Sequence, residues 1–198
     1  MASRPSRPTS LREIKKAESR QQIIRSARML ASEAGYDATT VVQICAHARV
    51  GTSTFFRYFP EKQSAFLAPE IELWNRYLEE FDPAQNSLTA LDGPLDHVLA
   101  TAGEQWAEDF SASLDIIGRS QVLAKHSFDH CIDMETTIVS RLVDEGAPND
   151  LFTHMKVGVF LASWRIAQSR WGASPRRTLR SLRTCRRDAF GLIAQLHD

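Results

Sequence analysis

The sequence predicts an all-α protein: an N-terminal three-helix unit with a helix-turn-helix pattern, then a larger helical body. Three observations predict it. Apolar residues recur at helical spacing from Ile23 onward, and no stretch sustains the period-2 alternation of a half-buried strand. Helix-opening signals stand at Ser10 and Thr40, and turn signals divide the remainder. The formal net charge of zero hides a segregation. Residues 1–62 carry 11 Lys and Arg against 5 Asp and Glu, residues 63–160 carry 5 against 17, and residues 161–198 carry 8 against 2. A basic head on an acidic body suits a nucleic-acid reader joined to a part that reads none.

Residues 1–9 (MASRPSRPT) are rich in Pro, Ser and Arg and read as a disordered basic arm, with Arg4 and Arg7 within reach of a minor groove. Ser10-Leu11-Arg12-Glu13 forms a capping box, Ile23, Ile24, Ala27, Leu30 and Ala31 follow at helical spacing, and Gly35 supplies the stop. Thr40-Val41-Val42-Gln43 opens a second, short helix to about Ala48. Arg49-Val50-Gly51 is a turn, and a third helix spans about 52–58. This bounds a DNA-binding domain at 10–62 and a body at 63–198. In the body, helices are expected at 61–81, 94–113, 115–126, 128–145, 149–171 and 175–197. The turn signals are Asp82-Pro83, Asp92-Gly93-Pro94, Gly146-Ala147-Pro148 and Gly172-Ala173-Ser174-Pro175. Pro69 falls inside the first of these helices, where its ring clashes with the carbonyl of Ala65, so a kink or break is expected there.

With 198 residues, 43% of them hydrophobic, the chain can bury a sizeable core. Its longest apolar runs, such as Val157 to Trp164, are too short to cross a bilayer, and the basic N-terminus has no apolar stretch of a secretory leader behind it. Cys45, Cys131 and Cys185 are odd in number and far apart, which argues against a disulfide framework. These features point to a cytoplasmic protein with no membrane partner. No Ser/His/Asp or Cys/His arrangement, phosphate-binding Gly loop or nucleotide fingerprint is present, so neither enzyme activity nor a cofactor is expected. His126 and His130, four apart near Asp129 and Asp133, have a spacing that a metal could use; a solvated acidic face with incidental histidines is the preferred reading.

A reading helix must be short, polar toward the groove and apolar toward its neighbours. Thr52, Ser53, Thr54 and Arg57 supply the polar side and Phe55 and Phe59, four apart, the buried one. At these residues the chain resembles the TetR family of bacterial repressors. The run Gly35-Tyr36-Asp37-Ala38-Thr39-Thr40-Val41, with Ile44, Ala48 and Val50, is similar to that family's opening. Thr54-Phe55-Phe56-Arg57-Tyr58-Phe59-Pro60-Glu61-Lys62 is similar to its second motif, and the resemblance covers about residues 20–67. It implies that Thr52, Ser53 and Arg57 face the major groove of double-stranded DNA, Arg57 as the base contact. It implies phosphate contacts from Thr40, Tyr58 and Lys62. Three positions depart from the family pattern: Arg49 stands where a Gly is usual, Gly51 where a Ser N-cap is usual, and Phe56 where a Tyr commonly touches the backbone. Phe56 retains an apolar contact to a thymine methyl.

The resemblance further implies an effector-binding body that dimerises through its last two helices, 149–171 and 175–197. Their apolar residues, from Leu151 and Met155 through Trp164 and from Leu179 to Leu196, are suited to such a homodimer. Trp106, Phe110, Phe128, Cys131, Phe160 and Trp164 are the candidate walls of a pocket for a small apolar or aromatic effector. Arg176, Arg177, Arg180, Arg183, Arg186 and Arg187 read as a solvated face balancing the acidic body, an acyl-CoA-like anion being the sharper alternative. The function expected is that of a repressor released from a palindromic operator by a small molecule. The rival is a constitutive DNA-binding or protein-interaction module whose body only dimerises.

Overall fold

The computed structural model describes residues 10–195, and every regular element among them is helical. The expected arm, residues 1–9, lies outside the described residues. Packing divides the chain after Phe66, four residues beyond the boundary read at Lys62.

The first unit contains α1 (Leu11–Ala34), α2 (Val41–Ala48), α3 (Thr52–Tyr58) and α4 (Lys62–Phe66). Ser10 caps α1 as expected: its hydroxyl accepts from the Glu13 amide at 3.2 Å and its own amide donates to Glu13 Oε2 at 2.8 Å. Those bonds hold the Glu13 carboxyl below its ordinary value. Gly35, with φ 84°, ends the helix and donates to Ala31 O at 3.0 Å. The core gathers Ile23, Ile24 and Ala27 of α1, Ile44 and Ala48 of α2, Phe55 and Phe59 around α3, and Phe66 of α4.

The second unit contains α5 (Ala68–Glu80), α6 (Leu88–Thr101), α7 (Glu104–Ile117), α8 (Gln121–Asp144), α9 (Leu151–Gly172), α10 (Leu179–Gly191) and a closing 3-10 turn, Leu192–Gln195. Its core runs through Leu73, Trp74 and Tyr77 of α5, Leu95 of α6, Phe110 of α7, Ile138 of α8 and Phe160, Trp164 and Trp171 of α9.

Four expectations about these helices need correcting. The helix expected at 94–113 is two, α6 and α7, because Ala102 (φ −69°, ψ 148°) and Gly103 (φ −89°, ψ 159°) are extended and part them. The helix expected at 61–81 is interrupted, but at Leu67, whose backbone (φ −88°, ψ 5°) leaves the helical region. Pro69 then sits in the first turn of α5, where its missing N–H has no helical acceptor to lose. The expected turn at Asp92-Gly93-Pro94 lies inside α6, which starts earlier, at the Ser87 cap. There the buried stripe Leu91, Leu95, Val98 and Leu99 outweighs the single bond that Pro94 withholds from Ala90. The helices expected at 115–126 and 128–145 are one, α8, because Ser120 caps it and Leu123, Ser127, Cys131 and Met134 keep one face buried without a break. The turns at Asp82-Pro83 and Gly146-Ala147-Pro148 fall between helices, and the Gly172-Ala173-Ser174-Pro175 turn begins on the last residue of α9.

Within α10, Leu179 and Leu182 are buried in the unit's own core, and Trp171 donates to Thr178 O and Ser181 Oγ at 3.0 Å each. Arg186 is 3% exposed and ion-paired with Asp92 and, at 2.6 Å, with Asp96 of α6. The apolar stripe expected to meet a second copy is largely used inside the subunit.

Candidate nucleic-acid interface

The position of α3 follows from how its neighbours are tied. Ser26 of α1 and His47 of α2 share a hydrogen bond of 2.9 Å across otherwise apolar packing. Thr40 caps α2, accepting from the Gln43 amide at 3.2 Å, while its amide and hydroxyl each donate to Gln43 Oε1 at 2.8 Å. After Ala48 the chain reverses at Arg49, the one non-glycine residue with positive φ among the described residues (φ 54°, ψ 43°). A left-handed arginine costs on the order of 1 kcal/mol relative to glycine. It explains why glycine is the usual occupant of this turn. Gly51 then begins α3 with no side-chain cap, so the departure seen in the sequence is also a structural one.

On α3, Phe55 is buried and Phe59 just beyond it packs 5.6 Å from it, ring to ring. Locking that side turns Thr52, Ser53, Phe56 and Arg57 outward, all exposed, while Thr54 and Tyr58 are half-buried. Arg57 lies with its guanidinium 5.1 Å from the Tyr58 ring centre, a contact that steadies a long cation without using its N–H donors. Phe56 is 54% exposed.

Lys62 has a structural task with no local sequence signature. Its Nζ donates to Tyr36 O and Thr39 O at 3.0 Å each and stands 4.0 Å from the Tyr36 ring centre. The loop carrying the α2 cap is thus tied to α4 across 26 residues of sequence, a separation no local pattern reports. Burial lowers the affinity of this ammonium for its proton, and Asp37 partly opposes the shift.

In the body, four of the six residues picked as pocket walls form one ring cluster. Trp106 stacks on Phe110 at 5.1 Å, Phe110 on Trp164 at 6.0 Å, and Phe160 reaches Trp164 through Trp74, 6.3 Å from each. The Trp106 N–H is taken by Pro69 O at 3.1 Å. Cys131 is buried elsewhere, 4.0 Å from Glu70, and its thiol is pushed up to about 12 by burial first and the Glu70 charge second. Phe128 is exposed on α8 beneath the Arg165 guanidinium. Sequence reasoning missed Trp74 and Tyr77, which complete the ring cluster, and Glu70, which lies against Ser127 and Cys131. Along α10, Arg180, Arg183 and Arg187 border a cleft of about 400 Å³ with Glu104, and Arg177 pairs with Asp115 at 2.6 Å. Among the described residues no group of three His, Cys, Asp or Glu side chains converges as a metal centre requires. No described helix is long and apolar enough to cross a membrane.

A capped helix, a three-residue reversal and an outward polar helix on a fixed apolar base define a helix-turn-helix DNA-binding protein. Residues 23–68 match the family described as bacterial regulatory proteins, tetR family. The chain is 29% identical over 172 residues to the HTH-type transcriptional regulator TcmR of Streptomyces glaucescens, covering 81% of this chain and 76% of that one. It is 35% identical over 72 residues to HbdR of Aromatoleum sp. (strain CIB), across 36% of this chain and 31% of that one. A solved transcriptional regulator from Pseudomonas aeruginosa PAO1 shares the fold, with a TM-score of 0.52 at 18% identity, covering 91% of this chain and 93% of the other. The N-terminal unit is thus similar to the DNA-binding unit of TetR-family transcriptional regulators.

Proposed function

We propose that this regulator is a repressor that binds a pseudo-palindromic operator as a homodimer and leaves it when a small molecule binds the body. The observation that carries the reading is the outward set Thr52, Ser53, Phe56 and Arg57 on a helix whose opposite side is fixed in the core. Arg57 would take a base edge in the major groove and Phe56 a thymine methyl. Thr40, Thr54, Tyr58 and Lys62 would meet the backbone around them, Lys62 with the donor its two carbonyl bonds leave over. The reader at 10–62 and the effector-binding, dimerising body at 63–198 are the functional division we propose, with the packing boundary four residues later.

Two-fold symmetry is supported by the surface of α8 and α9. Leu151, Met155 and Ile166 are 82%, 66% and 61% exposed and lie within about a third of the circumference of α9. Phe128 and Ile132 are exposed on one side of α8. An apolar surface of this extent on one subunit is suited to a second copy, making a four-helix interface from α8 and α9 of each chain. The interface that the family resemblance implies, on helices 149–171 and 175–197, shares α9 with this surface. Met155→Glu places a charge in that interface. It should yield monomers in sedimentation at micromolar concentration; a stable dimer of this variant removes α9 from the interface.

The reading as a whole is tested by footprinting DNA that neighbours the protein's own gene, with and without candidate ligands. Protection over two half-sites, lost on adding a ligand and weakening steeply with salt, is the expected result. Protection that no ligand alters would return the function to the constitutive module.

A further inference from the structure

One side of α10 carries arginines that an acidic body leaves without acids. The acids are there in number: residues 63–160 carry 17 Asp and Glu against 5 Lys and Arg. Two arginines of this segment use them. Arg177 pairs with Asp115 at 2.6 Å, and Arg186 with Asp92 and, at 2.6 Å, with Asp96. Arg180 and Arg187 have no ion-pair partner among the described residues. Arg183 reaches only Asp96, 3.9 Å away and already held by Arg186, and its Nε is buried with no partner. These three side chains leave α10 within about 60° of its circumference and along about 10 Å of its axis. With Leu179 and Glu104 of α7 they border the cleft of about 400 Å³. The Glu104 carboxylate accepts from the Leu179 amide at 3.1 Å, and against three guanidiniums it leaves the cleft with an excess of positive charge.

Arg180 and Arg183 are three residues apart and Arg183 and Arg187 four, spacings at which like charges on a helix destabilise it. The free protein carries that cost, and an anion in the cleft removes it. Guanidiniums donate and never accept, so the occupant must meet them with acceptor oxygens alone. Each planar fork takes two oxygens of one anionic group side by side. A single carboxylate has two oxygens and answers one fork. Three forks in a row about 10 Å long call for two linked phosphates, whose terminal oxygens reach all of them.

We propose that the cleft between α10 and the start of α7 is a binding site for the diphosphate group of a small molecule. The forks of Arg180, Arg183 and Arg187 hold its oxygens, and the unpartnered Nε of Arg183 gains an acceptor. None of these residues belongs to the ring cluster of the body or to α3, so the site stands whether or not a ligand releases the operator. Nucleoside diphosphates and inorganic pyrophosphate share this chemistry.

Isothermal titration of the full chain with inorganic pyrophosphate, in the absence of divalent metal, tests the site. Pyrophosphate should bind, and Arg180→Ala and Arg187→Ala should each weaken it about tenfold by removing one charged fork. Arg183→Lys keeps the charge, loses the fork, and should weaken binding about threefold. Arg176→Ala removes an exposed arginine outside the cleft and should bind like the parent, which separates a built site from general positive charge. Orthophosphate should bind about tenfold more weakly than pyrophosphate. ADP bound more tightly than pyrophosphate assigns the site to a nucleotide, and ADP bound no more tightly assigns it to the inorganic anion; either upholds the site. The proposal is overturned if pyrophosphate fails to bind, if Arg180→Ala and Arg187→Ala bind it like the parent, if Arg176→Ala weakens it as much as they do, or if orthophosphate binds equally well. Monomers of Arg187→Ala in sedimentation, where the parent is a dimer, would give these arginines to a second copy and overturn it too.

Discussion

The two units differ in how completely their buried polar groups are paired. In the reader, polar groups that leave water are tied to neighbours: Thr39 Oγ1 donates to Gly35 O at 2.8 Å, Ser26 meets His47, and Lys62 bridges two carbonyls. In the body, Glu70 has no counter-charge, and the Trp74 and Trp164 N–H and the Tyr77 O–H have no acceptor. A surface that must present the same groups to every operator gains from rigidity, and satisfied caps supply it. A core that must open for a ligand gains from contacts left incomplete. On the reading proposed above, the reader is built to hold one arrangement and the body to exchange two.

The largest expected effect tests the body's side of that contrast. Burial raises the Glu70 carboxyl from 4.5 to about 7, with the Ser127 hydrogen bond pulling weakly the other way. The polar groups against it are Ser127 and Cys131 of α8, and Arg165 of α9 acts on Cys131. A raised carboxyl binds its proton more tightly in the folded state. The contribution of Glu70 to the body's stability is therefore greatest below pH 4.5, falls by about 3 kcal/mol as pH rises to 7, and is level above that. Hydrogen exchange of the full chain at fixed concentration should show protection in α5 and α8 falling across this window, and Glu70→Gln should flatten the trend. Equal slopes in the parent and in Glu70→Gln would show that Glu70 is not the group responsible.

Arg57→Ala comes next and tests the reader's side. Losing a bidentate base contact should relax preference at one position of each half-site by about 1–3 kcal/mol, leaving protection of α1 to α3 unaltered. Competition binding with operators varied at single positions measures it. An unaltered sequence preference would place Arg57 on the phosphates.

The same contrast explains which features were legible in the sequence. The reader is governed by local signals: Ser10 with Glu13 and Thr40 with Gln43 are three residues apart, and the Arg49-Val50-Gly51 reversal sits where the spacing put it. Its long-range tie, Lys62 to Tyr36 and Thr39, was not legible, because it joins a side chain to carbonyls that carry no sequence signature. In the body, helix content was legible but continuity was not. Gly93-Pro94 reads as a turn locally, yet α6 runs through it because tertiary burial of Leu95, Val98 and Leu99 decides. Glu70 reads as a solvated residue in a helix, and only Ser127, 57 positions away, reveals that it is inside. Aromatic side chains could be picked as a group, but which N–H lacks an acceptor depends on neighbours in space.

A smaller effect separates stability from binding at the helix-turn-helix reversal. Arg49→Gly removes the left-handed strain and should stabilise the reader by about 1 kcal/mol, somewhat less after the entropy that glycine adds to the unfolded chain. If the arginine is kept for a phosphate, operator affinity should fall while stability rises, and the salt dependence of binding should lose about one counterion per subunit. Stability and affinity rising together would show Arg49 to be only a strained turn.

The smallest expected change is at Gly51, and it asks whether the reader's rigidity is already complete. Gly51 opens α3 with extended backbone (φ −76°, ψ 155°), a conformation serine adopts freely. A Cβ built there would meet no atom within 4 Å. Gly51→Ser would therefore introduce a hydroxyl positioned to accept from an amide of the first turn, as Ser10 does for α1. Relative to glycine such a cap is worth a few tenths of a kcal/mol. Thermal unfolding should shift upward by a degree or so, and exchange in α3 should slow while α5 to α10 remain as they were. Operator affinity should hold or improve slightly, because the added cap leaves Thr52, Ser53 and Arg57 facing outward. A loss of affinity with a gain in stability would mean that α3 adjusts its first turn on DNA, and the reader would then share the body's need to move.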